Sequence, residues 1–543
     1  MGSGIHATMQ DRQLTVNSLF QHGAAIYSNS RIAAFDGHQV RHTTYGETAS
    51  RVTRLAAGLR RLGIRPGDPV GTFCWNTVEH LEAYFAVPGM GAVLHTLNFR
   101  LFPDQLSYIV NHAEDRAIVV DASLVPLLAK AAAKFKTVKH YLVVGATSEN
   151  LPGECVGYEE ILAAEEAHFA WPALDERSAA AMCYTSGTTG NPKGVVYSHR
   201  SIYLHSMAVN SANCAGLCEN DRLLAAPSMF HANSWGMLHA AWLAGSDCVF
   251  PNRFLQAEPL CRLIAEERPS VAGGVPAIWM DVLRYADSHT VDLSSLRIVL
   301  CAGSAVPRSL IEGFQERHGL RILQLWGMTE TSPFATVAYP PKGCLASEEI
   351  EYRAKAGRTV AGVELRIVDD NNQVAPADGE SIGEIQARGP WITGSYYGED
   401  AAERFHDGWL RTGDVGCMDS LGYVQIKDRA KDVIKSGGEW VSSIDLENAI
   451  MAHPDVVEAA VIGVPDPRWD ERPLACVVLK KGSNVGSSEL CVFLNGRVVK
   501  WWIPERWAFL AEIPKTSVGK FDKKRLRAEQ AQGLITVQDS AQA

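Results

Sequence analysis

The chain has 543 residues and a formal net charge of −10, with 46% hydrophobic and 21% charged residues. These are ordinary globular values, which exclude a fibrous or disordered chain. At roughly 150 residues per domain the length predicts three or four compact units. The acidic balance disfavours a nucleic-acid binder, which needs a basic surface, and no apolar run reaches the roughly 18 residues of a membrane span.

Met1 to Arg12 lacks the apolar core of a signal peptide. It also fails the myristoylation pattern, because His6 stands where Ser or Thr is needed. Met9 is a candidate natural start behind a vector-derived leader. The 12 cysteines form no Cys-x-x-Cys pair, and the nearest two, Cys214 and Cys218, have no histidine cluster beside them. Neither a disulfide framework nor a zinc site is expected; a reduced, cytoplasmic protein is.

In chain order, Thr44 and Glu47 make a capping box ahead of Val52, Leu55, Leu59 and Leu62, which recur at helical spacing. Gly63 ends that helix. Pro66-Gly67-Asp68 turns into a strand over Val70 to Trp75, followed by a helix over Glu79 to Met90 and a strand over Ala117 to Asp121. Strands separated by helices predict layered α/β architecture with a mainly parallel sheet. After Gly357 the texture changes. Strands over Val363 to Val368 and Gly383 to Arg388, with Asp369-Asp370-Asn371-Asn372 as a turn, predict a small β subdomain. Beyond about Lys427 helix and strand mix again. The segment from Asp428 onward is neutral, with 16 basic and 16 acidic residues, so the acidity lies in the body before it. The expected division is a large domain over residues 10–427 and a small α+β domain over 428–543.

The most informative stretch is Tyr184-Thr185-Ser186-Gly187-Thr188-Thr189-Gly190-Asn191-Pro192-Lys193-Gly194, entered from an apolar strand over Ala179 to Tyr184. Its glycines let backbone N–H groups approach phosphate oxygens, its hydroxyls add donors, and Lys193 adds charge. The order differs from a Walker loop. By composition alone such a stretch reads as a flexible surface loop; this order is more specific.

The loop resembles the phosphate-binding signature of the adenylate-forming superfamily: acyl-CoA synthetases, nonribosomal adenylation domains and luciferase-like enzymes. Further signatures follow in the family's order. They are Pro227-Ser228-Met229-Phe230-His231, Cys301-Ala302-Gly303-Ser304-Ala305 and Gln324-Leu325-Trp326-Gly327-Met328-Thr329-Glu330, then Arg411-Thr412-Gly413-Asp414, Asp428-Arg429-Ala430-Lys431-Asp432 and Pro514-Lys515-Thr516-Ser517-Val518-Gly519-Lys520. The resemblance covers nearly the whole chain and is nearest to the bacterial medium- and long-chain fatty acyl-CoA synthetases.

The resemblance implies two half-reactions. A carboxylate attacks the α-phosphate of ATP to give acyl-AMP and pyrophosphate; coenzyme A then attacks the acyl carbon and displaces AMP. Bringing two anions together needs positive charge at the α-phosphate. Lys520 matches the family's adenylation lysine. Glu330 and Thr185 match its Mg²⁺ ligands, hard oxygens suited to that cation; Glu330 also reads as a residue offsetting a helix dipole. Residues Gln324 to Thr329 and Gly303, Ser304 and Ala305 would flank the adenine. Trp326 stands where relatives commonly carry tyrosine, which keeps an aromatic face and loses a hydroxyl. Asp414 would accept hydrogen bonds from both ribose hydroxyls, with Arg429 as a second contact. Lys431 matches the hinge about which a mobile C-terminal domain swings. That swing would exchange Lys520 for the face carrying Lys435, Gly437, Gly438 and Trp440, where the glycines let the pantetheine arm pass.

On the acyl side, His231 and Ala232 match the family's carboxylate end, and Trp235 resembles the gate tryptophan of fatty acyl-CoA synthetases; as a bare sequence feature it reads as core. No aspartate lies between Ser228 and Gly245 to hold an amino group, which disfavours an amino acid substrate. The expected function is a fatty acid–CoA ligase. Open alternatives are a ligase for a short substituted or aryl acid, an acyl-AMP ligase loading a carrier protein, and a silent adenylate-binding protein. Intact Lys520, Glu330, Thr185 and Asp414 argue against the last. A homodimer is expected by resemblance, without nucleic acid or a transmembrane segment, and peripheral membrane contact is left open.

Overall fold

The computed structural model describes residues 7–146, 150–185, 191–369, 371–430, 432–436, 439–516 and 521–539, without the side chains of Lys435, Glu439 and Trp440. The chain is mixed α/β, with a large N-terminal domain and a small C-terminal domain. Among the described residues, two large sheets form the body. One has seven strands in the order Glu154–Gly157, His140–Val144, Ala117–Asp121, Pro69–Phe73, Val93–Thr96, Ala179–Tyr184 and Gly194–Ser198. Every neighbouring pair is parallel except the last, where Tyr184 sits opposite Gly194 in an antiparallel hairpin. The other sheet has nine strands with a parallel centre and antiparallel edges. Its centre includes Arg222–Leu224, Asp247–Phe250, Val271–Gly274, Ile298–Cys301 and Ile322–Gly327.

Local chemistry explains the elements. The helix Tyr45–Arg61 begins where Thr44 Oγ1 accepts from the Glu47 N–H at 3.2 Å and the Glu47 carboxylate accepts from the Thr44 N–H at 2.9 Å. The helix Val78–Gly89 is buried all round, packed between the seven-stranded sheet and the helices Val16–Ile26 and Tyr45–Arg61. A five-stranded antiparallel sheet follows, from Glu364–Val368, Gly383–Arg388, Phe405–His406, Trp409–Met418 and Val424–Arg429. It is the small β subdomain the turn chemistry predicts; the strand Arg358–Thr359 belongs instead to the nine-stranded sheet. The C-terminal unit is a six-stranded sheet running from Ile434–Ser436 to Gln538–Asp539, with the helices Ser443–Met451, Ser487–Leu494 and Lys523–Ala531. Its core around Val461, Ala475, Val477 and Trp507 is separate from those of the body.

Candidate active site

The hairpin at the edge of the seven-stranded sheet builds the neck of the phosphate loop. Thr185 N–H donates to the Lys193 carbonyl at 2.9 Å, and Lys193 N–H donates to Thr185 Oγ1 at 3.3 Å. Ser186, Gly187, Thr188, Thr189 and Gly190 lie outside the described residues. The Lys193 ammonium sits 4.9 Å from the centre of the Tyr396 ring and 3.4 Å from Glu399 Oε2. A phosphate would therefore share this cation with a carboxylate.

Glu330 occupies a short 3-10 turn, Thr329–Thr331, and is buried. Its Oε1 accepts the Tyr396 hydroxyl at 2.7 Å. Burial first, then the Glu330 carboxylate itself, hold the Tyr396 phenol above its ordinary range, so it is a committed donor. Behind it, the Tyr197 hydroxyl donates to the Thr329 carbonyl at 2.8 Å. Thr185, Lys193, Tyr396 and Glu330 thus form one contact chain in one corner. The oxygen of Thr185 and the carboxylate of Glu330 are hard donors, the set Mg²⁺ takes beside substrate phosphates. Among the described residues no group of three or more His, Cys, Asp or Glu could hold a metal.

The strand Ile322–Gly327 carries the adenine-side signature. Gln324 and Leu325 are buried, and Gln324 Oε1 accepts the Val306 N–H at 3.0 Å. At Gly327 a Cβ would fall 1.7 Å from the Pro333 carbonyl oxygen, so no other residue fits. Met328 and Thr329 are half-buried. Gly303 and Ser304 are exposed and Ala305 half-buried, on the loop after Ile298–Cys301. The indole N–H of Trp326 donates to Asp414 Oδ2 at 2.8 Å, with both side chains buried. The hydroxyl that Trp326 lacks is thus replaced by an N–H committed to the carboxylate expected at the ribose. Arg429 lies opposite Asp414 on the neighbouring strand, its Nε 3.5 Å from Oδ1. Asp414 is therefore not a bare carboxylate awaiting two hydroxyls. One oxygen is anchored on Trp326 and the other faces Arg429, leaving each a lone-pair direction for a ligand.

On the acyl side, His231 is half-buried and packs on Phe230, while Ala232 and Trp235 are buried. Trp235 lies edge-on to Phe334, ring centres 6.5 Å apart. No charged side chain occurs from Ser228 to Gly245. Within this segment burial lowers His239 to about 4, and it lowers His205, against which Gly236 packs, to about 3, so both are neutral near pH 7.

In the C-terminal unit Lys431, Gly437, Gly438 and Lys520 lie outside the described residues. For Lys435 and Trp440 only the backbone is described; they face each other across the hairpin of Ile434–Ser436 and Glu439–Val441. Asp428 is buried, its Oδ2 accepting the Ser443 N–H at 2.8 Å.

Sequence reasoning missed Tyr396, Glu399 and Tyr197. Tyr396 lies 66 residues from the carboxylate it holds, and no local spacing signals such a pairing.

Residues 20–397 match the model of the AMP-binding enzyme family and residues 445–520 match that of the AMP-binding enzyme C-terminal domain. The chain belongs to this family. It is 44% identical to a long-chain-fatty-acid–CoA ligase of Thermus thermophilus, over 96% of this chain and 97% of that one. It is 41% identical to a 3-methylmercaptopropionyl-CoA ligase of Ruegeria lacuscaerulensis, over 96% and 98%. Among solved structures, an anthranilate CoA ligase in complex with anthranoyl-AMP superposes with a TM-score of 0.87 at 26% identity, over 97% of this chain and 100% of that one. Family and relatives agree on an AMP-forming acyl-CoA ligase that binds ATP; they do not agree on the acid.

Proposed function

We propose that the chain activates a medium- or long-chain fatty acid as acyl-AMP, with release of pyrophosphate, and transfers the acyl group to coenzyme A. The observation that carries this is the uncharged acyl segment Ser228 to Gly245, backed by the neutral His205 and His239. Such a lining gives no partner to a second charge on the acid and leaves a substrate tail to be bound by apolar contact. The likeness to a fatty-acid ligase agrees with it.

In this reading Thr185, the loop to Gly190 and Lys193 hold the phosphates, and Glu330 and Thr185 hold Mg²⁺, which supplies charge to neutralise the pyrophosphate. Tyr396 orients the Glu330 carboxylate. Trp326 and residues 303–305 and 324–329 flank the base, and Asp414 and Arg429 take the ribose. His231, Ala232 and Gly303 sit at the acyl carboxylate, with Trp235 as the gate of the acyl path. Lys520 serves adenylation, while Lys435, Gly437, Gly438 and Trp440 serve thioester formation after the 428–543 domain turns at Lys431. A cytoplasmic homodimer belongs to the same reading, by family resemblance.

A short thioether acid is the second reading, favoured by the likeness to the 3-methylmercaptopropionyl-CoA ligase. Coenzyme A consumption across straight-chain acids of increasing length, with 3-methylmercaptopropionate alongside, separates the two. The proposal expects kcat/KM to climb with chain length through the medium-chain acids. A maximum at 3-methylmercaptopropionate, with little turnover of octanoate, refutes it.

A further inference from the structure

His112 belongs to none of the signatures above, yet the neck of the phosphate loop and the segment that holds Glu330 meet on it. It lies in the last turn of the helix Pro103–Ala113 and is half-buried. Its Nδ1 is 2.6 Å from the hydroxyl of Tyr184, the residue that ends the strand running into the phosphate loop. Its ring stacks on Tyr108 of the same helix, with centres 5.3 Å and planes 13° apart. It meets Tyr397 edge-on, with centres 5.5 Å apart. The other ring nitrogen faces Gly398. A Cβ there would lie 3.1 Å from Nε2, and the backbone has φ of +65°, so only glycine lets the chain pass this close without strain.

The direction of the Tyr184 bond follows from its surroundings. Burial first, then the Asp115 carboxylate, hold the Tyr184 phenol well above its ordinary range, so it keeps its proton and donates to Nδ1. The Tyr184 ring also packs on His95, with centres 5.1 Å apart, and His95 Nδ1 lies 2.9 Å from Asp115 Oδ2 in a fully buried pair. The neck of the loop is beside this bond. Tyr184 sits opposite Gly194, where a Cβ would fall 3.1 Å from the Tyr184 ring and 3.2 Å from Tyr397 Cβ. The Gly194 carbonyl accepts the Tyr397 N–H at 2.9 Å. Next to Tyr397, the Tyr396 hydroxyl holds Glu330, and two residues on, Glu399 faces the Lys193 ammonium. His112 thus touches the neck through Tyr184 and the segment 396–399 through Tyr397 and Gly398.

We propose that His112 is a positioning residue for the nucleotide: by accepting the Tyr184 hydroxyl, its Nδ1 fixes the neck of the phosphate loop against residues 396–399, so that Lys193 and the Glu330 carboxylate meet the terminal phosphates from set positions. The inference rests on reading residues 185–193 as the nucleotide loop; it does not depend on which acid is the substrate. His112 touches no reacting atom. A displaced neck reaches the phosphates because Thr185 and Lys193 are bonded to each other across it. The base and ribose are held by other elements, so the loss of this bond falls on the terminal phosphates.

Calorimetric titration of the full chain with α,β-methylene-ATP and Mg²⁺, and separately with AMP, tests this without any acid. His112→Phe keeps a ring on Tyr108 and removes the acceptor; Tyr184→Phe removes the donor. Each should weaken binding of the analogue about five- to tenfold, the worth of one hydrogen bond, and leave AMP within twofold of the parent. One bond is lost in either case, so the double variant should bind no more weakly than the weaker single variant. His112→Asn places a carbonyl oxygen where Nδ1 stood and should recover the analogue to within twofold of the parent. Melting temperatures identify the folded variants, and should Tyr184→Phe fail to fold, the His112→Phe and His112→Asn pair carries the test. The proposal is overturned if folded His112→Phe or Tyr184→Phe binds the analogue as the parent does, or if AMP weakens as much as the analogue. It is equally overturned if the two single losses add in the double variant, or if His112→Asn is as weak as His112→Phe. A parent that binds neither nucleotide refutes the reading of residues 185–193 and this proposal with it. Failure of fatty acids to turn over refutes the proposed substrate and leaves this result standing.

Discussion

Replacing Trp326 by phenylalanine keeps an aromatic face and removes one donor, the indole N–H that reaches Asp414 Oδ2 at 2.8 Å. A hydrogen bond to a charged group contributes about 1.5–3 kcal/mol, which corresponds to roughly 10- to 150-fold in binding. Arg429 compensates little. Its Nε is 3.5 Å from the other oxygen and its side chain is 43% exposed, so solvent screens the pair. Trp326→Phe should therefore raise the KM for ATP at least tenfold in a pyrophosphate-release assay, with a smaller effect on kcat. Lost stability should appear separately, as a fall of roughly 2–4 °C in melting temperature per kcal/mol. A KM for ATP within twofold of the parent, in a folded variant, would refute the idea that this bond sets the Asp414 carboxylate for the nucleotide.

Tyr396→Phe removes the hydroxyl that Glu330 accepts at 2.7 Å. The Mg²⁺ concentration at half-maximal pyrophosphate release should rise about three- to tenfold, since one neutral-to-charged hydrogen bond orients the ligand; an unchanged titration contradicts that role. His239 titrates near 4 when folded, because of burial, and near 6.5 when unfolded. Between these values the unfolded chain binds the extra proton, so stability falls as pH drops from 6.5 towards 4. In His239→Leu the loss of stability over pH 6.5–5 should be shallower by up to about 1.4 kcal/mol per pH unit, measured by denaturant midpoints; an identical slope contradicts it. Lys520→Ala should cut acyl-AMP formation by about 10²–10³ and spare thioester formation from synthetic acyl-AMP. Equal loss in both half-reactions contradicts the assignment of Lys520 to adenylation alone.

Where local chemistry decides the backbone, the sequence was a sufficient guide. The strands Ala117–Asp121, Ala179–Tyr184 and Gly383–Arg388 have the limits the sequence predicts, and the Thr44 capping box starts the helix Tyr45–Arg61. These signals lie within a few residues of one another. The site is different, because its working pairs are long-range. Trp326 and Asp414 are 88 residues apart and Tyr396 and Glu330 are 66 apart. For Glu330 the motifs name the carboxylate and not the tyrosine that holds it; for Trp326 and Asp414 they name both residues and not the bond between them. The left-handed turn at Ala232 to Trp235 was illegible for another reason: three of its four residues are types that ordinarily avoid positive φ. The packing of Gly236 on His205 and the contacts of Asn233 and Ser234 hold it.

The central claim is that ATP is split at its α-phosphate to make an acyl adenylate that coenzyme A then consumes. Incubation with octanoate, Mg²⁺ and ATP labelled at the α-phosphate, first without and then with coenzyme A, tests it by mass spectrometry of the products. The account predicts enzyme-bound octanoyl-AMP and pyrophosphate without coenzyme A, and AMP with octanoyl-CoA in equal amounts once it is added. Formation of ADP and inorganic phosphate, or of the thioester from an acyl phosphate with no labelled acyl-AMP at any time, would contradict it.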